Sequence, residues 1–344
     1  MKKGLALFVF AGIMVWGWVQ FSGSTETSPM VGNFEEPAEV TIAQEHEKTQ
    51  IEEPGSIQGW MGISVEKLEM VAGEPDWRSQ SEFGYEWWGY EEDPRSYTQL
   101  GVYNGEVVTG VFMYEGARLE EISINDTYEK VKDHTSFSKE YALESEGSYQ
   151  FELSEQDLLE RPLISLGDQW TGQLYFDRMT ERLSAVRFVR NDFLLKMQPY
   201  KVVYRGKLPY AIPLDRQEWE VVEEGMEKQI LSMTNRIRNR HDVAPLESHE
   251  GAAQVAFLHS QDMDANNYFS HYSPEGKGVM ERLEGIDYQQ AGENIAAQYV
   301  DAVDVVHGWL NSEGHRESLL NETFTHVGIG VHQRYYTQNF LTVP

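Results

Sequence analysis

Four short motifs follow one another between Phe269 and Val331, and no other stretch of the chain limits its fold as strongly. They are Phe269-Ser270-His271-Tyr272-Ser273-Pro274-Glu275-Gly276, Ala291-Gly292-Glu293-Asn294-Ile295-Ala296, Trp309-Leu310-Asn311-Ser312-Glu313-Gly314-His315-Arg316 and Phe324-Thr325-His326-Val327-Gly328-Ile329-Gly330-Val331. His271 and His315 each stand at a turn or helix edge beside Ser or Gly, where a ring can project into a cleft. A Glu-Asn pair lies between them. A fold that gathers these groups brings together lone pairs that can hold a divalent metal or relay a proton. Each motif alone is a weak signal, but the ordered set is specific.

The surrounding sequence supplies layers for such a cleft. From Trp219 to Arg240, Val222, Met226, Ile230, Met233 and Ile237 recur at three- and four-residue steps, which predicts an amphipathic helix. A second helix is predicted from His249 to Asn267, with Ala253, Ala256, Phe257, Leu258 and Met263 as its apolar set, and a third from Ala302 to Leu310. Gly328 to Val331 and Tyr335 to Val343 read as a closing antiparallel pair. Helices interleaved with strands in this way predict a three-layer α-β-α sandwich.

Within the motifs, Glu293 sits between Gly292 and the apolar Ile295-Ala296 run, so its carboxylate is expected to be buried and paired, most cheaply with an imidazole. Asn294 is expected to satisfy buried backbone groups through its amide. His259 is read as a packing or capping residue and His326 as structural or rim-lining, whereas His307 and His332 carry no supporting neighbours in the sequence. Three chemistries compete for the cleft. His271 and His315 would suit Zn²⁺ or another divalent cation with an open position, Glu293 serving as ligand or support. Glu293 or Glu313 could act as general base in a metal-assisted hydrolase; Ser270 or Ser312 as nucleophile is the weakest version. The third is a non-catalytic pocket. The chain has no HExxH helix, phosphate-binding Gly loop or G-x-S-x-G elbow, which removes the common hydrolase and nucleotide readings.

With His259-Ser260-Gln261-Asp262-Met263, these motifs resemble the CAP superfamily (cysteine-rich secretory proteins, antigen 5 and pathogenesis-related proteins), and most closely its bacterial branch. The likeness runs from Trp219 to the C-terminus. It implies an α-β-α sandwich with a cleft lined by two His and two Glu, which by motif are His271, Glu293 and His315, with Glu313 as the fourth. Many bacterial members have Pro at that fourth position, and this chain also lacks the Cys of the eukaryotic branch. The resemblance implies a binding or signalling module for a lipid, peptide or wall fragment rather than an enzyme.

Ahead of this lies a second α+β domain, expected over 57–205. Ser64 to Ala72 reads as a helix stopped at Gly73-Glu74-Pro75. Asn104-Gly105 between two alternating runs is a two-residue hairpin signal, and a similar hairpin recurs from Leu174 to Phe188, so an internal duplication is plausible. Gly73-Glu74-Pro75, Tyr85-Glu86-Trp87-Trp88-Gly89-Tyr90 and the Val102 to Phe112 hairpin resemble the CAP-associated N-terminal domain. Trp87, Trp88 and Tyr90 read first as core and only second as a sugar-stacking platform. Pro209 and Pro213 mark a connector over 206–218, which predicts that the 219–344 domain, from about residue 216 onward, folds alone.

The N-terminal 1–21 segment has Lys2-Lys3 before an apolar run and acid after it, the pattern of a signal peptide or membrane anchor that leaves the rest outside the cytoplasm. The acidic 22–56 stretch reads as a flexible tether. A formal charge of −28 argues against nucleic acid or anionic lipid as the main partner, so membrane contact is expected through the anchor alone. With no Cys, disulfides and thiolate chemistry are excluded.

Overall fold

The Ser64 hydroxyl accepts from Lys67 N and opens helix α1 (Val65–Ala72); Gly73, at φ 76°, closes it. This computed structural model describes residues 56–91, 97–144 and 147–344, all within one compact unit, Ile51–Pro344. The expected anchor, and the tether up to residue 55, lie outside the described residues. Among those residues no helix is long and apolar enough to cross a membrane.

The N-terminal domain then runs through β1 (Trp77–Gln80), β2 (Glu86–Tyr90), β3 (Thr98–Tyr103) and β4 (Glu106–Phe112). Asn104 and Gly105 both take positive φ, 50° and 80°, as a two-residue hairpin turn requires. Next come the short pair β5 (Arg118–Leu119) and β6 (Ile122–Ser123), helix α2 (Tyr128–His134), β7 (Glu140–Glu144), β8 (Ser148–Glu152) and α3 (Glu155–Glu160). The domain closes with β9 (Leu163–Ser165), β10 (Trp170–Asp177), β11 (Arg182–Arg190), α4 (Asn191–Met197) and β12 (Lys201–Arg205). Its main sheet has the order β1-β2-β3-β4-β11-β10-β9, and β12-β8-β7 form a smaller one. The two hairpins are thus neighbours in one sheet, β4 antiparallel to β11. Trp87 and Trp88 point to opposite faces and enter two different cores, 2% and 5% exposed, so neither serves as a stacking platform.

After a stretch without helix or strand, α5 (Arg216–Arg240) buries Val222, Met226, Ile230, Met233 and Ile237 as its period predicts. There follow β13 (Glu247–Ser248), α6 (Glu250–Ala265), α7 (Val279–Arg282), β14 (Gln290–Ala297), α8 (Ala302–Leu310), α9 (Glu313–Leu319), β15 (His326–His332) and β16 (Tyr335–Thr342). The sheet order is β13-β15-β16-β14, antiparallel except for β13 against β15. Alternation along β15 divides its faces. Val327, Ile329 and Val331 join the α5 and α8 side, while Gly328 and Gly330 face α6. A Cβ on Gly330 would lie 1.9 Å from Phe257 N, and one on Gly328 2.1 Å from Ala252 C, so α6 rests backbone to backbone on the sheet. This close approach corrects the apolar set read for α6. Its buried face is Ala252, Ala256, His259, Ser260 and Met263, and Leu258 is 51% exposed.

The two domains share a core rather than meeting across a hinge. Trp77, Tyr175, Phe193 and Leu194 pack in one cluster with Val222, Met226, Val303 and Trp309. Gly225 of α5 sits against β1, where an added Cβ would lie 2.6 Å from Ser79 Cβ. Charged groups cross the same boundary. Arg187 Nη2 donates to Asp301 Oδ2 (2.5 Å), Arg161 Nη1 to Asp304 Oδ2 (2.8 Å) and Tyr175 Oη to Asp304 Oδ1 (2.6 Å).

His307, which has no partner visible in its sequence neighbourhood, belongs to this boundary. Its ring lies 4.5 Å from that of Tyr175, Nδ1 donates to Val303 O, and Nε2 is buried without a partner among the described residues. Burial pushes its pKa from 6.5 down to about 4. Below 6.5 the unfolded chain therefore takes up a proton that the native state refuses until about 4. The stability that neutral His307 contributes is complete above that window and is lost as pH falls through it. Glu227, which burial raises to about 7, titrates with the opposite sign, so the comparison must be between variants. The stability gap between wild type and His307→Gln is expected to shrink by up to about 3 kcal/mol between neutral pH and pH ~4.5. Urea melts at both pH values read the gap, and a constant gap would show that His307 is not held neutral.

Candidate functional site

The cleft forms at β14, the edge strand of the C-terminal sheet. One wall is the loop between α6 and α7, which carries His271, and the other is α9, which carries His315. Glu293 lies on β14 opposite Asn339 of β16, so its side chain leans towards α6 and His271, whereas the neighbouring Asn294 turns to α9. Asn294 Nδ2 donates to His315 O (3.0 Å), holding the first turn of α9 against the strand. That is the backbone-satisfying role its sequence context predicts.

Glu293 is only 5% exposed and is paired with an imidazole, His271 Nδ1 donating to Oε1 at 2.9 Å. Its other oxygen accepts from Arg282 Nη2, a partner that sequence reasoning missed. Arg282 also donates to His271 O (2.9 Å), so one guanidinium ties the carboxylate to the loop that carries the imidazole. Burial pushes the Glu293 carboxyl up, but the hydrogen bond from His271 and the charge of Arg282 prevail and hold it below its ordinary value. His259 is 1% exposed, and its Nε2 meets Ser270 O at 3.0 Å, pinning the residue before His271. Its expected packing role is therefore aimed at the cleft loop.

His315 Nδ1 lies 2.9 Å from Ser312 Oγ. Burial, and then the nearby charge of His271, push its pKa down to about 4, so the ring is neutral and its lone pair available at neutral pH. Both residues flank β14, His271 bonded to the Glu293 side chain and His315 to Asn294 through its carbonyl oxygen. Each has Nδ1 engaged, by a carboxylate on one side and a hydroxyl on the other. Neither Nε2 has a hydrogen-bond partner among the described residues. Glu313 stands apart: it is exposed at the start of α9, with no hydrogen bond or ion pair to the other three among the described residues.

The donor set suits a cation only in an open form. Two imidazole Nε2 atoms are available, with their Nδ1 sides oriented by other groups, as metal-bound histidines commonly are. Both oxygens of Glu293 are engaged, which makes it a support rather than a ligand. Among the described residues no group of three His, Asp or Glu side chains is gathered as a closed metal site. The same geometry bears on catalysis. A carboxylate held low by Arg282 and His271 is a weak general base at neutral pH. Ser312 touches an imidazole, but among the described residues no third group orients that ring through Nε2, and Ser270 Oγ accepts from Tyr272 N instead.

The remaining histidines lie elsewhere. His326 is at the start of β15, which β16 separates from β14, with Thr325 Oγ1 2.9 Å from its Nδ1, so of the two expected roles it takes the structural one. His332 is not without neighbours: Glu223 lies 3.4 Å from Nδ1 and Asp264 3.5 Å from Nε2. Both acids are distant in sequence, so no local pattern could have announced them.

Comparison with known proteins agrees with this architecture. Residues 61–200 match the CAP-associated N-terminal family and residues 231–343 the cysteine-rich secretory protein family. The chain is 39% identical, over 99% of its length and 98% of the relative's, to the uncharacterized membrane protein YlbC of Bacillus subtilis. A second B. subtilis protein, YkwD, is 40% identical over 33% of this chain and 46% of its own length. An extracellular protein containing an SCP domain from Bacillus anthracis superposes with a TM-score of 0.80 at 41% identity, covering 86% of this chain and 98% of that one. A cysteine-rich secretory protein from Staphylococcus aureus shares the fold, with a TM-score of 0.71 at 22% identity over 83% of this chain and 92% of that one.

Proposed function

The chain belongs to the cysteine-rich secretory protein family, with a CAP-associated N-terminal domain ahead of the CAP domain, and we propose that its cleft is a non-catalytic binding site. In this reading His271 and His315 hold a divalent cation such as Zn²⁺, and the open positions receive a lipid, peptide or wall fragment. The observation that carries the reading is the state of Glu293: with both oxygens taken by His271 and Arg282, it can orient an imidazole but is poorly suited to accept a proton from water. A bound cation would supply an electrophilic centre for a carboxylate, phosphate or carbonyl oxygen of that ligand. The relatives named as a membrane protein and an extracellular protein support placing this chain outside the cytoplasm, attached to the membrane through its N-terminal segment or secreted. One observation favours the alternative, a hydrolase of peptide or wall material, in the form that uses Ser312 as nucleophile: the contact between Ser312 Oγ and His315 Nδ1.

Thermal melts with Zn²⁺ test the proposal. Free metal at a hundredfold its dissociation constant should add about 2.7 kcal/mol of stability near neutral pH. His271→Ala and His315→Ala are each expected to abolish that gain, and His332→Ala to retain it. Glu293→Gln should weaken it, because the neutral amide no longer fixes the His271 tautomer. A gain that survives both cleft variants would remove the metal from this cleft. Turnover of a wall peptide that is lost in Ser312→Ala would favour the hydrolase.

A further inference from the structure

We propose that the CAP-associated N-terminal domain has a function of its own: the end of its β10–β11 hairpin is a brace that sets the position of His315. The α8–α9 turn, which carries Asn311, Ser312 and His315, is gripped by three consecutive residues of that hairpin. Asn311 Nδ2 donates to Phe176 O (2.8 Å), and Arg178 N donates to Asn311 Oδ1 (2.9 Å), so both ends of one amide are used. Between them, the Asp177 carboxylate receives both terminal nitrogens of Arg316, at 2.8 and 2.9 Å. Arg316 follows His315 directly, and Asn311 directly precedes the Ser312 whose hydroxyl meets the His315 ring.

The grip is built to be rigid. Asp177 is 3% exposed, accepts from Met179 N (3.0 Å) within its own turn, and has His241 Nε2 of the α5 C-cap 3.4 Å away. Two parallel charge-assisted bonds to a planar guanidinium fix orientation as well as distance. On the cleft side, the His315 ring has Ser312 Oγ as its hydrogen-bond partner among the described residues, and Ser312 belongs to the gripped turn. Among the described residues, the other ion pairs that cross between the domains do not touch this turn. Arg334 Nη2, for example, donates to Glu82 Oε1 (2.6 Å) beside the β15–β16 turn. Asp177, Asn311 and Arg316 are therefore positioning residues, and the N-terminal domain regulates the cleft through one local contact.

The test uses the full chain with ¹⁵N-labelled histidine, and only its metal arm rests on the cation-binding reading. Asp177→Asn keeps the turn and removes the charge that grips Arg316; Asn311→Ala removes the other leg if the first variant folds poorly. Each is expected to shift the His315 imidazole resonances and to weaken Zn²⁺ binding by about tenfold, the lower scale for disturbed supporting groups at metal sites. Glu82→Gln, which breaks a contact between the same domains elsewhere, should lower the melting temperature and leave both readouts at their wild-type values. Unmoved His315 resonances in both Asp177→Asn and Asn311→Ala would overturn the brace, as would an equal shift in Glu82→Gln. Should wild type take up no Zn²⁺, the cation-binding reading fails while the imidazole resonances still decide the brace.

Discussion

Arg187→Met is expected to destabilise the protein by about 3–5 kcal/mol, the cost of removing one partner from a buried charge pair. The guanidinium is fully buried, 2.5 Å from Asp301 Oδ2 and 4.0 Å from Asp304 Oδ1. Asp304 keeps Arg161 and Tyr175 as partners when Arg187 is removed. Among the described residues, Asp301 keeps the backbone N–H of Asp304 at the start of α8 as its hydrogen-bond partner. Burial already pushes the Asp301 carboxyl above its ordinary value against the pull of Arg187, so the orphaned group would protonate instead of staying charged. Two signatures follow. The deficit should shrink as pH falls and protonation becomes cheaper, and Arg187→Met combined with Asp301→Leu should recover most of the loss, since no unpaired charge then remains. Denaturant unfolding at two pH values measures both. A single-variant cost below about 1 kcal/mol, the scale of an exposed pair, would mean that water reaches this site.

The elements legible in the sequence are those whose causes are local. The period of α5, the eight-residue helix behind Ser64 and the Asn104-Gly105 turn were each specified within a few residues, and each formed as read. Part of the site was legible for a related reason. A carboxylate set between Gly292 and Ile295-Ala296 must be paired, and His271 is its partner. What could not be read was the origin of distant partners. Arg282 lies on a single helical turn with no periodic signal, and Tyr175 reaches His307 from another domain. Leu258 stays outside the buried face because the Gly328 and Gly330 stripe selects small residues on α6, a demand that appears only once strand and helix are packed. The connector was legible as a chain feature, since 206–214 forms no helix or strand, but Pro residues in a connector carry no information about whether the cores on either side are separate.

That last distinction carries the second large expectation. Expressed from residue 216 onward, the C-terminal part is expected to lose cooperative unfolding, contrary to what its connector suggests. Helix α8 is the reason. Ala302, Val303, Asp304, Val305, Val306, His307, Trp309 and Leu310 are all buried, so the helix has no solvent face. One side meets the C-terminal sheet, where Trp309 Nε1 donates to Ile295 O (3.2 Å). The other meets β10, where Tyr175 covers His307 and hydrogen-bonds Asp304. Removing the N-terminal domain uncovers that second side, and with it the part of α5 that rests on β1 at Gly225 and Ser79. Burying an aliphatic side chain contributes about 1.5–3 kcal/mol, so uncovering several outweighs the few kcal/mol by which a domain is stable. The carboxylates of Asp301 and Asp304 would then be solvated, and this relief offsets part of the loss without restoring the packing. The fragment should bind a hydrophobic dye and melt without a sharp transition, whereas 57–344 should melt as one cooperative unit with a single midpoint. A sharp, dye-free transition for the fragment would show that the C-terminal layers close without the shared core, and the boundary would then be a docking surface rather than part of the fold.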